Sequence, residues 1–194
     1  MSTPTVAVVG GGPCGALTSL ALANRGFDVT LFEARQDPRT STAKSRARSI
    51  NLAYSARGIR AIRTLVGDEL VERVLARGLA MRGRMIHKAP SSNAPHDTEL
   101  DPQDYGVYEH GECINSISRS EITNILLDAV DAEPRISLCF GAKLAKMDLR
   151  GSKTGARLHF DGPVSEWQGD FVVGADGSHS AIRSELLRQA RCVL

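Results

Sequence analysis

The run Thr5-Val6-Ala7-Val8-Val9 stops at Gly10-Gly11-Gly12-Pro13-Cys14-Gly15, and Leu17, Leu20, Ala21 and Ala23 then recur at helical spacing until Gly26. No other stretch narrows the fold as much. A short, β-branched, wholly apolar run predicts a strand buried on both faces of a parallel sheet. The spacing after it predicts a helix from Ala16 to Asn24, stopped by glycine. A second strand, Asp28 to Phe32, delivers Glu33 at its end. Together these pieces predict a βαβ unit with a right-handed crossover.

Gly10, Gly12 and Gly15 form a G-x-G-x-x-G pattern placed between strand and helix, and Glu33 follows Gly15 by 18 residues. This is the arrangement that holds a dinucleotide. Gly10 permits the tight turn, Gly12 lets the backbone approach a pyrophosphate, and Gly15 permits close helix–strand contact. The helix N-terminus, entered through Pro13, stabilises the negative charge. Glu33 accepts hydrogen bonds from ribose hydroxyls and repels a 2′-phosphate, so the site suits the adenosine half of FAD or NAD. The weaker alternative is a structural turn beside an incidental surface glutamate.

The rest of the chain is compatible with one domain over 1–194. Its 24 basic and 22 acidic residues nearly balance, so composition does not argue for a nucleic-acid or anionic-membrane partner. Cys14, Cys113, Cys139 and Cys192 lie far apart, without a C-x-x-C pair, and read as reduced intracellular thiols with no metal site. No apolar run reaches the roughly 20 residues that cross a bilayer, and the N-terminus has no secretory pattern. A polar, basic surface loop is expected over 36–46, and an extended segment over 49–54. Helices are predicted over 56–66, 69–75 and 120–131, and strands over 84–87, 136–140, 144–149, 157–160 and 171–173. The stretch 88–103, with three prolines, reads as a long excursion. A turn is expected over 151–155. The last strand runs into Gly174-Ala175-Asp176-Gly177-Ser178-His179-Ser180, followed by a helix reaching almost to Leu194.

This second glycine–aspartate element, together with Arg48-Ser49-Ile50-Asn51-Leu52-Ala53-Tyr54-Ser55-Ala56-Arg57-Gly58, Met81-Arg82-Gly83-Arg84-Met85-Ile86-His87 and Ile114-Asn115-Ser116-Ile117-Ser118-Arg119, carries a resemblance. The chain resembles the flavin-dependent aromatic hydroxylases, and within them the kynurenine 3-monooxygenase family, from near its start to about Arg183. The resemblance implies an α/β, Rossmann-like FAD-binding domain whose parallel sheet starts with the βαβ unit and carries inserted antiparallel strands. It implies that Glu33 and Arg35 contact the FAD adenosine side, that Ala53 lies beside the flavin, and that Arg119 holds phosphate or ribityl oxygens. Leu144 would offer backbone contacts, and Asp176 belongs to a motif associated with FAD and NADPH. Arg84 and Tyr105 match the pair that binds the substrate carboxylate, with Tyr108 an alternative to Tyr105. A guanidinium fork and a phenol suit a carboxylate.

By the same resemblance, NADPH and O2 serve to hydroxylate L-kynurenine to 3-hydroxykynurenine, in tryptophan degradation toward NAD. A salicylate-type hydroxylase and a non-catalytic FAD-binding module are the alternatives. The cofactor carries that chemistry, so no catalytic side chain is assigned. Arg119 reads alternatively as a surface cation, Arg82 and Arg84 share one side of a strand by period two, and His87 reads as structural. His179 stands between serines, but a hydrolase reading lacks both G-x-S-x-G and an orienting acid. The family continues past the matched segment with a substrate-covering sheet, a second FAD-binding stretch and, in many members, a C-terminal helix at the mitochondrial outer membrane. The 194 residues are accordingly expected to be an N-terminal portion that binds FAD weakly, does not hydroxylate alone, and exposes apolar surface.

Overall fold

The computed structural model describes residues 2–40, 50–87, 100–105, 113–149 and 155–191. The elements in chain order are β1 (Thr5–Val9), α1 (Pro13–Ala23), β2 (Asp28–Glu33), β3 (Asn51–Tyr54), α2 (Ala56–Leu65), α3 (Asp68–Leu75), β4 (Leu79–Met81) and β5 (Gly83–His87). They continue with β6 (Leu100–Asp104), β7 (Ile114–Ser118), α4 (Arg119–Ala132), β8 (Ile136–Phe140), β9 (Lys143–Asp148), β10 (Ala156–Asp161), β11 (Glu166–Gly169), β12 (Phe171–Gly174) and α5 (Ala181–Arg191).

Four parallel strands form the central sheet in the order β12-β1-β2-β8, with Val8 opposite both Leu31 and Val173. Successive residues of a strand face opposite ways. Val6, Val8, Val29 and Leu31 therefore point to one face, where they join Leu20 of α1, Leu126 and Val130 of α4, and Ile62 and Val74 of α2 and α3. Ala7, Val9 and Phe32 point to the other face, which the antiparallel sheet β11-β10-β9 covers with Leu144, Met147, Leu158 and Phe160. Phe32 and Phe160 stack with ring centroids 4.2 Å apart. Burial on both faces explains why β1 contains no charged residue. Each fully buried aliphatic or aromatic side chain here stabilises the fold by about 1.5–3 kcal/mol.

A second antiparallel sheet, β3-β7-β4, packs Ile117, Leu52 and Tyr54 against the first of these cores, and β5-β6 form a separate two-stranded ribbon. Ser118 caps α4 by accepting from the Glu121 amide. Three expectations are corrected. The excursion over 88–103 ends in a strand, because β6 pairs with β5 from Leu100 opposite His87 to Asp104 opposite Gly83. Pro102 is tolerated because a two-stranded ribbon leaves one edge without a ladder to break. Arg82 lies between β4 and β5, so it does not share a strand with Arg84. Leu149 lies just beyond β9. The chain over 88–99, most of the 151–155 turn, Tyr108, Cys192 and the last residues to Leu194 lie outside the described residues, as does the end of the 36–46 loop. Among the described residues no helix is long and apolar enough to cross a membrane.

Candidate functional site

The carboxyl ends of β1, β2 and β12 meet at the glycine-rich turn. Gly10 has φ of +114°, and its amide donates to the Phe32 carbonyl at 2.7 Å. A Cβ on Gly10 would stand 2.4 Å from the Ala175 carbonyl oxygen, and one on Gly15 only 1.8 Å from the Gly10 oxygen. These two glycines are therefore required by the protein's own packing. Gly12 differs. Its φ of −72° is ordinary, and a Cβ there would meet nothing within 4 Å. No protein contact demands glycine at this position, and the space beside it opens into the groove.

Gly12 caps α1, with Pro13 in the first turn, no acidic residue there and no side-chain acceptor. The amides that begin this helix thus present positive potential to the groove. Glu33, half-buried at the end of β2, accepts from the Gly11 amide at 2.8 Å and the Arg35 amide at 2.9 Å. An ionised carboxylate offers about four acceptor positions, so Glu33 is fixed in place with capacity left for hydroxyl donors.

The groove consists of two adjoining cavities. One, of about 250 Å³, is walled by Gly11, Gly12 and Pro13, by Arg35, Gln36 and Pro38, and by Arg119, Ser120 and Thr123 of α4. The other, of about 320 Å³, shares Gly12, Glu33, Arg35 and Arg119 and continues past Lys143, Leu144, Asp176 and His179. Three cations, Arg35, Arg119 and Lys143, thus line a groove whose two acids are engaged with backbone amides. Asp176 accepts from Ser180 Oγ at 2.6 Å, the Ala181 amide at 2.6 Å and the Ile182 amide at 3.2 Å. It therefore holds the start of α5 as well as facing the groove. The site suits an anion with flanking hydroxyl groups.

Of the residues singled out in the sequence, Gly10, Gly12, Pro13, Glu33, Arg35, Arg119, Leu144 and Asp176 line these cavities, and Gly15 packs directly beneath. Ala53, Arg84 and Tyr105 do not. Ala53 is exposed on β3, opposite Ser116. Arg84 donates from Nε at 3.0 Å and Nη2 at 2.7 Å to the Gln103 amide oxygen, and the Tyr105 amide donates to the Arg82 carbonyl at 2.9 Å. Arg84 and Tyr105 are therefore brought together at one end of the β5-β6 ribbon. Beside Ala53, the Tyr54 hydroxyl donates to the Gly58 carbonyl, and burial pushes its pKa up to about 12, so it remains protonated at neutral pH. Lys143, Ser120 and Thr123 were missed by sequence reasoning. The only signal for Lys143 was its place next to Leu144 in an alternating strand, whereas Thr123 is one turn beyond Arg119 on α4.

Residues 3–191 match the FAD binding domain family. A kynurenine 3-monooxygenase from Candida albicans is 42% identical over 98% of this chain and 40% of its own length. One from Saccharomyces cerevisiae is 40% identical over 95% and 39%, and one from the bacterium Salinispora tropica 37% over 93% and 38%. The chain thus spans about two fifths of the length of the curated relatives it matches. Among solved structures, p-nitrophenol 4-monooxygenase from Pseudomonas putida superposes with a TM-score of 0.73 at 20% identity, covering 96% of this chain and 44% of that one. CtdE in complex with FAD superposes at 0.72 with 16% identity, covering 94% and 40%. These two likenesses establish the α/β fold.

Proposed function

Because the chain belongs to the FAD binding domain family, we propose that its groove holds the adenosine and diphosphate parts of FAD and that the whole protein is an NADPH-dependent kynurenine 3-monooxygenase. The observation that carries the cofactor reading is Gly12, a glycine with ordinary backbone angles and open space where a side chain would stand. The residues fit the group. The amides at the start of α1 receive the diphosphate, Arg35 and Arg119 balance its charge, and Glu33 accepts from the ribose hydroxyls. Gly11 and Arg35 hold that carboxylate still through their amides, so it is oriented before the cofactor arrives. The acidic residue also disfavours a 2′-phosphate, which argues against NADPH in this groove, and the match to the FAD binding domain family favours FAD over NAD there.

Bound FAD supplies reduction by NADPH and activation of O2 for insertion into an aromatic ring. What the chain adds is position. By the family resemblance Ala53 on β3 would stand on the flavin side, and Arg84 and Tyr105 would hold the carboxylate of L-kynurenine, for which the guanidinium would give up its bonds to the Gln103 amide oxygen. The identity to kynurenine 3-monooxygenases supports this substrate. Hydroxylation is proposed for a protein of the relatives' full length, and cofactor binding for these 194 residues.

The test is NADPH consumption by the full-length protein with L-kynurenine or salicylate. Formation of 3-hydroxykynurenine supports the reading. A response to salicylate alone overturns the substrate, and tight FAD binding without either response points to a non-catalytic module.

A further inference from the structure

Arg39 does not line the groove, yet it pairs with three carboxylates beside it. Its side chain is only 20% exposed. Nε and Nη2 grip the Asp37 carboxylate, with Nη2 at 2.7 Å, while Nη1 reaches Asp128 at 3.1 Å and Asp131 at 2.5 Å on α4. The guanidinium also lies 5.8 Å from the centroid of the Phe140 ring at the end of β8. One side chain therefore joins the loop after β2 to both α4 and β8.

The loop itself is tightly turned. The Arg39 amide donates to Asp37 Oδ1 at 2.9 Å, and Thr40 Oγ1 donates to the Asp37 carbonyl at 2.9 Å. Its inner residues Arg35, Gln36 and Pro38 form one wall of the 250 Å³ cavity, and Arg119, Ser120 and Thr123 at the start of α4 form another. A helix transmits position along its length, so a loop tied to Asp128 and Asp131 is held at a set distance from the first turn of the same helix. The fork is needed because one edge addresses Asp37 while Nη1 addresses α4, and a lysine ammonium cannot do both in fixed geometry.

We propose that Arg39 is a positioning residue for the nucleotide end of the groove, setting the spacing between the loop wall and the α4 wall. This rests on the reading of the groove as the FAD site. Arg39 touches no part of the cofactor and acts through Pro38, Gln36 and Arg35.

The experiment compares wild type, Arg39→Met, Arg39→Lys and the double variant Asp128→Asn/Asp131→Asn. Dissociation constants for FAD and for ADP, which carries only the adenosine diphosphate part, are measured beside the melting temperature. Arg39→Met is expected to weaken ADP and FAD by the same factor, tenfold or more. The lysine variant and the double variant should fall between it and wild type, with melting temperatures close to wild type. The double variant keeps the test intact if Arg39→Met does not fold. ADP affinity equal to wild type in the folded variants overturns the proposal while leaving the cofactor reading in place. So does a loss of affinity that follows the melting temperature across the series. A wild-type chain that binds neither FAD nor ADP overturns the cofactor reading, and the proposal with it.

Discussion

Gly12 and Gly15 belong to one sequence pattern but answer to different demands. Gly15 is required by the Gly10 oxygen lying 1.8 Å from where its Cβ would be, whereas Gly12 has no neighbour within 4 Å. Gly15→Ala is therefore expected to destabilise the chain by about 3 kcal/mol or more, since the clash is with backbone. Gly12→Ala should cost at most about 1 kcal/mol, the difference between glycine and alanine at a helix cap. Urea denaturation of the two variants checks this contrast. Asp176 was legible in the sequence only as part of a glycine–aspartate motif. Its hydrogen bonds to Ser180 and to the Ala181 and Ile182 amides add a helix-capping duty, so Asp176→Ala should lower stability by about 1–2 kcal/mol in the same assay, independently of any ligand. Such a duty is hard to read from sequence because Asp176 stands five residues before α5, outside the usual cap position.

Among the elements, β1, β2 and α1 were legible because burial on both faces leaves an unbroken apolar run and the glycines punctuate it. The helices α2, α3 and α4 and the strands β8, β9, β10 and β12 were also anticipated, to within a few residues at their ends. β6 was not, because in Leu-Asp-Pro-Gln-Asp the half-buried positions are the polar Asp101 and Gln103 while Leu100 is exposed, so no apolar alternation marks it. β7 was quoted as a motif but not as a strand, because its two buried positions are Asn115 and Ile117 and the asparagine breaks the apolar period. The loop after β2 owes its order to ion pairing that periodicity does not display. Arg39 holds the Asp37 carboxyl below its ordinary value through a direct hydrogen bond, against an opposing effect of burial. A carboxyl whose folded pKa is depressed stabilises the fold above its unfolded value, near pH 4, and loses that contribution as pH falls through the folded value. The urea midpoint should therefore be flat between about pH 6 and 8 and fall below about pH 4. Asp148, Asp170 and Glu185 are also held low, chiefly by Lys146, Thr5 and Arg188, so Arg39→Met should remove only part of that acid limb.

At the scale of the molecule, the parallel sheet brings the glycine turn, Glu33, Arg119 and Asp176 from distant parts of the chain to one groove. The sequence motifs named most of these residues, but not that Arg35, Arg119 and Lys143 would face a single space while both nearby acids are engaged with amides. That arrangement depends on the β12-β1-β2 order and on β9 packing against one face of that sheet, which no local pattern encodes. Apolar side chains also remain open to solvent, among them Ile50, Leu79, Leu100 and Phe171, each more than half exposed. Ligand binding to the folded state alone stabilises it by about 2.7 kcal/mol at a hundredfold excess over the dissociation constant. For a chain of this size that corresponds to a rise in melting temperature of roughly 5–10 °C. The most direct test of the account is calorimetric titration of the 194-residue chain with FAD, run in parallel on wild type and Gly12→Ala. The account expects one FAD per wild-type chain and at least tenfold weaker binding to the variant at nearly unchanged stability. Absence of FAD binding by a folded wild-type chain, or equal affinity in the two proteins, would contradict it.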